Sequence, residues 1–294
     1  MKGSILTARW TLLVAFGALQ VTAVGMAAQT PTFTVEVLGN IPGGVGTSVA
    51  GINDAGEVVG GAGGGTSACP NYCAVIWVDG TPTVLAVESG FYSAAVAVNN
   101  AGQVAGSVSG VNATGAVFDT AAAWNNGTLT LLTSPAPYTN SFATAVNDSG
   151  EVVVEAYESN GAGIAIAWNG QTPTLLGPES QCAAKFDGGD AAAIDNGGAV
   201  VGLNVCRDRD VATLWQGATA TALGGGVPAA INDAGLIVGV GVDGPTAWVN
   251  GVATPLQTLP GAVNSTAGSP MAVNNQGVIV GTTRMNLALP KGIT

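Results

Sequence analysis

Short apolar segments alternate with polar turns along most of the chain. One ten-residue pattern, a turn of the form Asn-Asp-x-Gly followed by an apolar run, recurs six times: INDAGEVVGG (52–61), VNNAGQVAGS (98–107), VNDSGEVVVE (146–155), IDNGGAVVGL (194–203), INDAGLIVGV (231–240) and VNNQGVIVGT (273–282). A run of small apolar residues precedes each copy. After a variable loop comes a segment that ends in Trp, then a second turn and another apolar segment. Short apolar runs bounded by Gly and Asn are typical of β-strands.

Each repeat therefore predicts four strands, which we label A to D in chain order. The first residues of the six turns lie 46, 48, 48, 37 and 42 residues apart, at Asn53, Asn99, Asn147, Asp195, Asn232 and Asn274. Four strands in about 40–50 residues are typical of one blade of a β-propeller. The sequence thus predicts an all-β fold, a six-bladed β-propeller of four-stranded blades over residues 33–294.

The two ends of the repeat region predict how such a propeller closes. The last repeat stops at LALPKGIT (287–294), where its strand D is due to begin. The segment FTVEVLG (33–39) resembles a strand D that has no blade of its own. We expect this N-terminal strand to complete the sixth blade, because closure removes the exposed edge of an open array.

The repeated turn and the repeated Trp each have a structural and a functional interpretation. Asn and Asp side chains cap tight turns and Gly accepts positive φ, so the Asn-Asp-x-Gly segment predicts the hairpin between strands A and B. Calcium binding is the rival, although no copy has alternating carboxylates at calcium-loop spacing. The Trp of strand C predicts packing between blades, with an aromatic ligand cage as the alternative.

Residues 1–28 have the features of a cleaved secretory signal. Lys2 and Arg9 supply positive charge, residues 10–24 are apolar, and small residues precede position 29. A membrane anchor is the competing interpretation, but the apolar stretch is short for a membrane span. Cleavage takes two positive charges from a net charge of −11 and leaves −13, which argues against nucleic acid and anionic membranes as partners. We expect a secreted or periplasmic protein without a membrane span in its mature chain.

The four cysteines are expected to form disulfides in an exported chain. Cys69 and Cys73 share the first B–C loop, whereas Cys182 precedes a strand A and Cys206 ends the following strand B. Strands A and B are antiparallel, so the start of one lies beside the end of the other. The sequence predicts Cys69–Cys73 and Cys182–Cys206, the longer of which stabilises by about 3 kcal/mol. A zinc site would require both pairs to meet without any His, so we predict no metal site.

The repeat, A-x-x-IN-x-x-G-x-VVG followed by AxxW-x-xG-x-x-x-xLG, resembles the HAF-repeat family of predicted bacterial extracellular proteins. The resemblance covers residues 33–294, but the His-Ala-Phe triplet of that family is absent from every strand C. The resemblance implies secretion and a repeated β architecture. It implies no established chemistry and transfers no catalytic residue.

The variable D–A and B–C loops emerge at one end of a propeller, where binding residues usually lie. Unusual polar residues concentrate there, and they either bind a ligand or form a solvated surface. The candidate ligand-binding residues are Tyr92, Glu155, Tyr157, Asp187, Asp190, Arg207, Asp208 and Arg209.

These loops predict a non-catalytic binding or scaffold protein, with carbohydrate or another cell-surface partner as ligand. The chain contains no His, which excludes Ser-His and Cys-His catalysis. The alternatives are a propeller glycosidase or lyase that uses loop carboxylates, since two carboxyl groups suffice, and a structural module of the envelope or matrix. We predict no catalytic residue and no cofactor, and we expect a monomer.

Overall fold

The computed structural model describes residues 37–65, 69–87, 91–111, 117–180, 182–183, 186–257 and 268–283. These residues form 22 β-strands and include no α-helix. The predicted signal (1–28), residues 33–36 of the predicted N-terminal strand, and the predicted last strand (287–294) lie outside the described residues.

The strands form six consecutive antiparallel sheets. Sheets 1 and 2 contain β1 (Thr47–Ile52), β2 (Val58–Gly63), β3 (Tyr72–Val78), β4 (Thr81–Val84), β5 (Tyr92–Val98), β6 (Val104–Val111), β7 (Val117–Asn125) and β8 (Thr128–Leu132). Sheets 3 and 4 contain β9 (Asn140–Val146), β10 (Val152–Tyr157), β11 (Gly163–Asn169), β12 (Thr172–Leu176), β13 (Phe186–Ile194), β14 (Ala199–Cys206), β15 (Arg209–Gln216) and β16 (Thr219–Gly224). Sheets 5 and 6 contain β17 (Gly226–Ile231), β18 (Ile237–Gly241), β19 (Gly244–Val249), β20 (Val252–Pro255), β21 (Gly268–Val273) and β22 (Ile279–Thr283).

Every sheet follows the predicted order A-B-C-D, and the sixth has two strands, A and B, among the described residues. Strand A carries a register irregularity at the same place in all six sheets, opposite the apolar run of strand B. An extra residue in one strand bends it and increases its twist. The repetition of this bulge shows that the six repeats share one backbone design.

The hydrophobic core lies between neighbouring sheets. Trp124 on β7 belongs to a cluster with Val59 and Ala74 of sheet 1, and Trp215 on β15 packs with Ala165 and Leu176 of sheet 3. All five strand-C tryptophans are buried. The predicted packing of Trp between repeats is confirmed.

Three of these tryptophans also attach their own sheet to the segment preceding it. The indole Nε1 donates to a backbone carbonyl at 2.7 Å: Trp77 to Gly39, Trp124 to Ala86, and Trp215 to Gly177. Trp248 makes an equivalent bond to Leu223 at 3.0 Å. Trp168 differs, because its Nε1 has no partner among the described residues.

The all-β class and the four-stranded repeat are therefore confirmed for five sheets. Residues 37–40 form no strand. Within the part of the chain that the structure describes, we find no helical segment with the length and hydrophobicity that spanning a membrane requires.

Candidate functional site

Glu155 and Tyr157 form the centre of the first candidate site, at the end of the sheets that carries the D–A and B–C loops. They lie two residues apart on β10, so their side chains project from the same face of sheet 3. The Tyr157 hydroxyl donates a hydrogen bond to Glu155 Oε2 at 2.9 Å. The Tyr157 ring also meets Phe142 edge-on, with ring centroids 6.4 Å apart.

Two further carboxylates belong to the same site and come from sheet 4. Asp190 lies on β13 and its charge acts on Glu155, while Asp210 lies on β15 and its charge acts on Asp190. The Ala191 backbone forms a hydrogen bond with the Glu155 carboxylate. We call Glu155, Tyr157, Asp190 and Asp210 the Glu155 cluster.

Burial and mutual repulsion shift the ionisation of this cluster. Burial, together with the negative charge of Asp190, raises the pKa of Glu155, although the Tyr157 and Ala191 hydrogen bonds oppose the shift. Burial and the charge of Asp210 raise the pKa of Asp190. The pKa of Tyr157 is also raised, by burial first and by Glu155 second, so this hydroxyl stays protonated. Such an arrangement favours positive charge or hydrogen-bond donors at the site.

The two arginines of the candidate set pair with carboxylates outside this cluster. Arg207 Nη2 lies 3.7 Å from Asp187 Oδ1, and both side chains are well exposed. Arg209 Nη2 lies 3.9 Å from an oxygen of Glu179, whose side chain is buried. The Glu179 backbone N–H donates to Asn204 Oδ1 at 2.9 Å. The exposed pair is worth little energetically, since solvent screens it.

Both predicted disulfides are present at this end. The Cα atoms of Cys69 and Cys73 are 5.8 Å apart, and those of Cys182 and Cys206 are 5.6 Å apart. The second disulfide joins the segment that carries Glu179 to the strand that precedes Arg209. It therefore holds the Glu179–Arg209 pair together from both sides.

The structure brings together part of the predicted set. Glu155 and Tyr157 are hydrogen-bonded and the charge of Asp190 acts on both, while Asp187, Arg207 and Arg209 belong to sheet 4 or its β14–β15 turn. Tyr92 is exposed on sheet 2, and no hydrogen bond between described residues connects it to this group. Asp208 is exposed in the β14–β15 turn. Sequence reasoning missed Glu179, for which proximity to Cys182 was the one available signal.

The A–B turns form a second candidate site at the opposite end. In each turn the first side chain caps the hairpin, as in the first repeat, where Asn53 Oδ1 accepts from the N–H groups of Ala55 and Glu57. Gly56 follows with φ of 82°. The predicted role of Asn and Gly is confirmed.

The second turn residue acts differently from the prediction. It does not cap its own turn; it connects neighbouring turns. Asn100 Nδ2 donates to Asp54 at 3.0 Å and to Asp148 at 3.1 Å, and Asn196 Nδ2 donates to Asp148 and Asp233 at 3.0 and 3.1 Å. From Asn100 to Asn275, the Oδ1 of each second residue also accepts the backbone N–H of the equivalent residue in the preceding turn.

These six second residues form what we call the turn ring: Asp54, Asn100, Asp148, Asn196, Asp233 and Asn275. Asp and Asn alternate because each Asn amide has two N–H groups and can give one to the Asp on either side. Each Asp carboxylate can in turn accept one N–H from either side. Two neighbouring Asp residues would lack a donor and repel each other. Alternation therefore gives every observed junction a donor and an acceptor and keeps carboxylates apart, and it explains the Asp-to-Asn changes between repeats without any cation.

The first turn residues form an inner tier beneath this ring. Asn99 Nδ2 donates to the Asn147 carbonyl at 2.9 Å, and Asn147 Nδ2 donates to the Asp195 carbonyl at 3.0 Å. Asp195 carries no amide and cannot continue the series to Asn232. All six turns line one polar cavity of about 490 Å³. Among the described residues, no three His, Cys, Asp or Glu side chains are grouped to hold a metal ion.

The chain matches no protein-family profile and no curated protein. Among solved structures, it is similar to the Trypanosoma rangeli sialidase in complex with the inhibitor DANA, with 12% sequence identity and a TM-score of 0.38. The match covers 74% of this chain and 46% of that sialidase, so the chain spans less than half of the enzyme's length. Likeness at this level carries no activity over to the chain.

Proposed function

We propose that the chain is an exported, non-catalytic binding or scaffold protein that binds its ligand at the Glu155 cluster. The observation that carries this proposal is the hydrogen-bonded pair of Glu155 and Tyr157 on β10, which is half-buried and feels the charge of Asp190 on the next sheet. The nearby arginines pair with Asp187 and Glu179 instead. The cluster therefore presents carboxylates and an aromatic ring to a ligand rich in hydroxyl or ammonium groups, such as a carbohydrate of the cell surface.

A rigid scaffold supports the binding interpretation. The candidate side chains lie on or beside paired strands of sheets 3 and 4, and the Cys182–Cys206 disulfide fixes the adjoining loop. Sites on strands hold their side chains in place at low entropic cost on binding. The two disulfides are also consistent with an oxidising location outside the cytoplasm, secreted or periplasmic.

Thermal shift of the oxidised protein tests the proposal. The ligands are neutral, amino and acidic oligosaccharides and, separately, calcium chloride. The proposal is supported if one class of ligand raises Tm and if Glu155→Gln and Asp190→Asn each abolish that rise. Asp79→Asn is the matched control, because Asp79 lies in the exposed β3–β4 turn. Stabilisation that survives both cluster variants would place the ligand elsewhere and overturn the assignment.

The second candidate is a glycosidase or lyase, favoured by one observation. Two carboxyl groups, Glu155 and Asp190, both have raised pKa values through burial, and a raised pKa is the property that a carboxyl needs to act as a general acid. Release of reducing or unsaturated sugar from a stabilising oligosaccharide, lost in Glu155→Gln, would support catalysis. Binding without turnover would support the first proposal.

We further propose that the sheets form a six-bladed propeller that the N-terminal strand completes. Gly39 supports this, because it accepts from Trp77 as Ala86 accepts from Trp124 and Gly177 from Trp215. Ala86 and Gly177 each follow a strand D. Gly39 thus corresponds to the residue that follows a strand D in those two repeats, which supports the proposed closure.

A further inference from the structure

The three junctions that join sheets 1 to 4 share one packing pattern, and the first sheet lacks it on its other side. Ala95, Ala143 and Ala191 are equivalent residues of strand A, each just before the bulge, with exposures of 3%, 4% and 2%. Each belongs to a core cluster with the preceding sheet. Val49 is their equivalent in β1 and is 62% exposed. Ile52, at the end of the same strand, is 68% exposed.

The sixth sheet shows the complementary defect on strand B. The second apolar residue after the A–B turn faces the following sheet and is completely buried in all of the first five sheets, at Val59, Ala105, Val153, Val201 and Val238. Val280 is the equivalent residue of β22 and is 58% exposed. Hence one apolar face before sheet 1 and one after sheet 6 are left uncovered by the described residues.

The turn ring is incomplete at the same place. Five junctions of the ring are hydrogen-bonded, from Asp54 around to Asn275. Asn275 Nδ2 gives one bond, to Asp233, and Asp54 Oδ2 accepts one, from Asn100. Among the described residues, the second N–H of Asn275 and the second acceptor position of Asp54 have no partner. One end of the ring thus offers a donor and the other an acceptor.

We propose that these two ends close on each other within one chain, so that Asn275 donates to Asp54 while the Val280 face covers Val49 and Ile52. This inference rests on the proposed six-bladed closure and names the contacts that lock it. Alternation of Asp and Asn is compatible only with an even number of repeats, because an odd number would place two like residues together. Six repeats beginning with Asp and ending with Asn satisfy that requirement.

A second copy of the chain is the competing occupant of these faces. The closing faces are different surfaces, so pairing between chains would be head-to-tail, which gives a ring of chains where the rotation closes and an open array where it does not. The two ends already line the same cavity in one chain, since both Asp54 and Asn275 border it. Closure within the chain therefore requires no partner.

Aspartate substitution tests whether the Val49 face is covered. Val49→Asp is compared with Val117→Asp, because Val117 also lies on a strand and is 70% exposed. Closure predicts that Val49→Asp lowers the folding equilibrium constant about a hundredfold, since it buries a charge, while Val117→Asp changes it less than about threefold. Equal effects of the two substitutions on chemical denaturation would overturn the proposal.

A double-mutant cycle tests the locking pair and uses variants that keep the core intact. Asp54→Asn and Asn275→Asp each mismatch the junction, and the double variant restores a complementary pair there. If the ring closes, the folding equilibrium constant of the double variant should be about tenfold higher than the value expected from adding the two single effects. The cycle of Asn100→Asp with Asp148→Asn, at an observed junction, is the positive control.

Additive effects at 54 and 275, with coupling at 100 and 148, would overturn the closing contact. Coupling that depends on protein concentration, with a dimer mass by light scattering, would assign the contact to a second copy and also overturn the proposal. Neither measurement uses a ligand, so failure of the closure proposal is distinguishable from failure of the binding proposal.

Discussion

Asn196→Asp provides the sharpest test of how the turns are held together. In the turn ring Asn196 donates from one amide to two carboxylates, Asp148 at 3.0 Å and Asp233 at 3.1 Å. The substitution keeps the shape of the side chain and its acceptor oxygen, which binds the Asp148 N–H. It removes both donors and places a third carboxylate between the two existing ones.

The cost follows from the contacts that are lost. A hydrogen bond to a charged group contributes roughly 1.5–3 kcal/mol when buried, and about 1 kcal/mol each is reasonable for these exposed ones. Repulsion between adjacent carboxylates in water adds up to about 1 kcal/mol. We therefore expect a loss of about 2–3 kcal/mol, or roughly 4–6 °C in Tm for a domain of this size.

Asn250→Asp is the matched control for this measurement. It adds the same charge at an exposed turn where Asn250 has φ of 51°, and Asp79 already occupies the equivalent position in the first sheet with φ of 48°. Tm and urea midpoints are measured for both variants at low and high salt. Salt should recover part of the Asn196→Asp loss, since it screens exposed charges. If Asn196→Asp matches Asn250→Asp, the ring contributes nothing and the explanation of the alternation is refuted.

Three further predictions concern single contacts. Trp215→Phe should lower the free energy of unfolding, measured in urea, by about 1 kcal/mol more than Trp168→Phe. The first substitution leaves the Gly177 carbonyl without its indole donor, whereas the Trp168 indole makes no hydrogen bond among the described residues. Equal losses would contradict this. Asp195→Asn should raise the free energy of unfolding by about 0.5–1.5 kcal/mol, because the new amide can continue the inner tier, and a lower Tm would count against it. Burial raises the pKa of Glu155 in the folded protein. Stability therefore falls as the pH rises from the pKa of Glu155 in the unfolded chain to its pKa in the folded protein. Glu155→Gln should therefore match wild-type Tm in acid, where both are uncharged, and exceed it at neutral pH; a difference independent of pH would refute the assignment.

The candidate site is only partly predictable from the sequence. Glu155 and Tyr157 stand two residues apart in a strand, and the two-residue period of a strand is enough to place them on one face. The influence of the Asp190 charge on them requires two different sheets to pack together, and nothing local in the sequence encodes that arrangement. The buried Glu179 and its arginine partner, Arg209, are likewise brought together by a disulfide-linked loop.

For the first five repeats, the amino-acid pattern alone specifies four strands, a turn capped by Asn or Asp, and a buried Trp. These features depend on short-range chemistry, namely side-chain capping, positive φ at Gly and apolar periodicity, and so they can be read along the chain. The alternation of Asp and Asn is also visible in the pattern, yet its meaning is not. The folded chain reveals that each such residue bonds to its counterparts 37 to 48 residues away, because hydrogen bonds across a ring depend on which turns become neighbours in space.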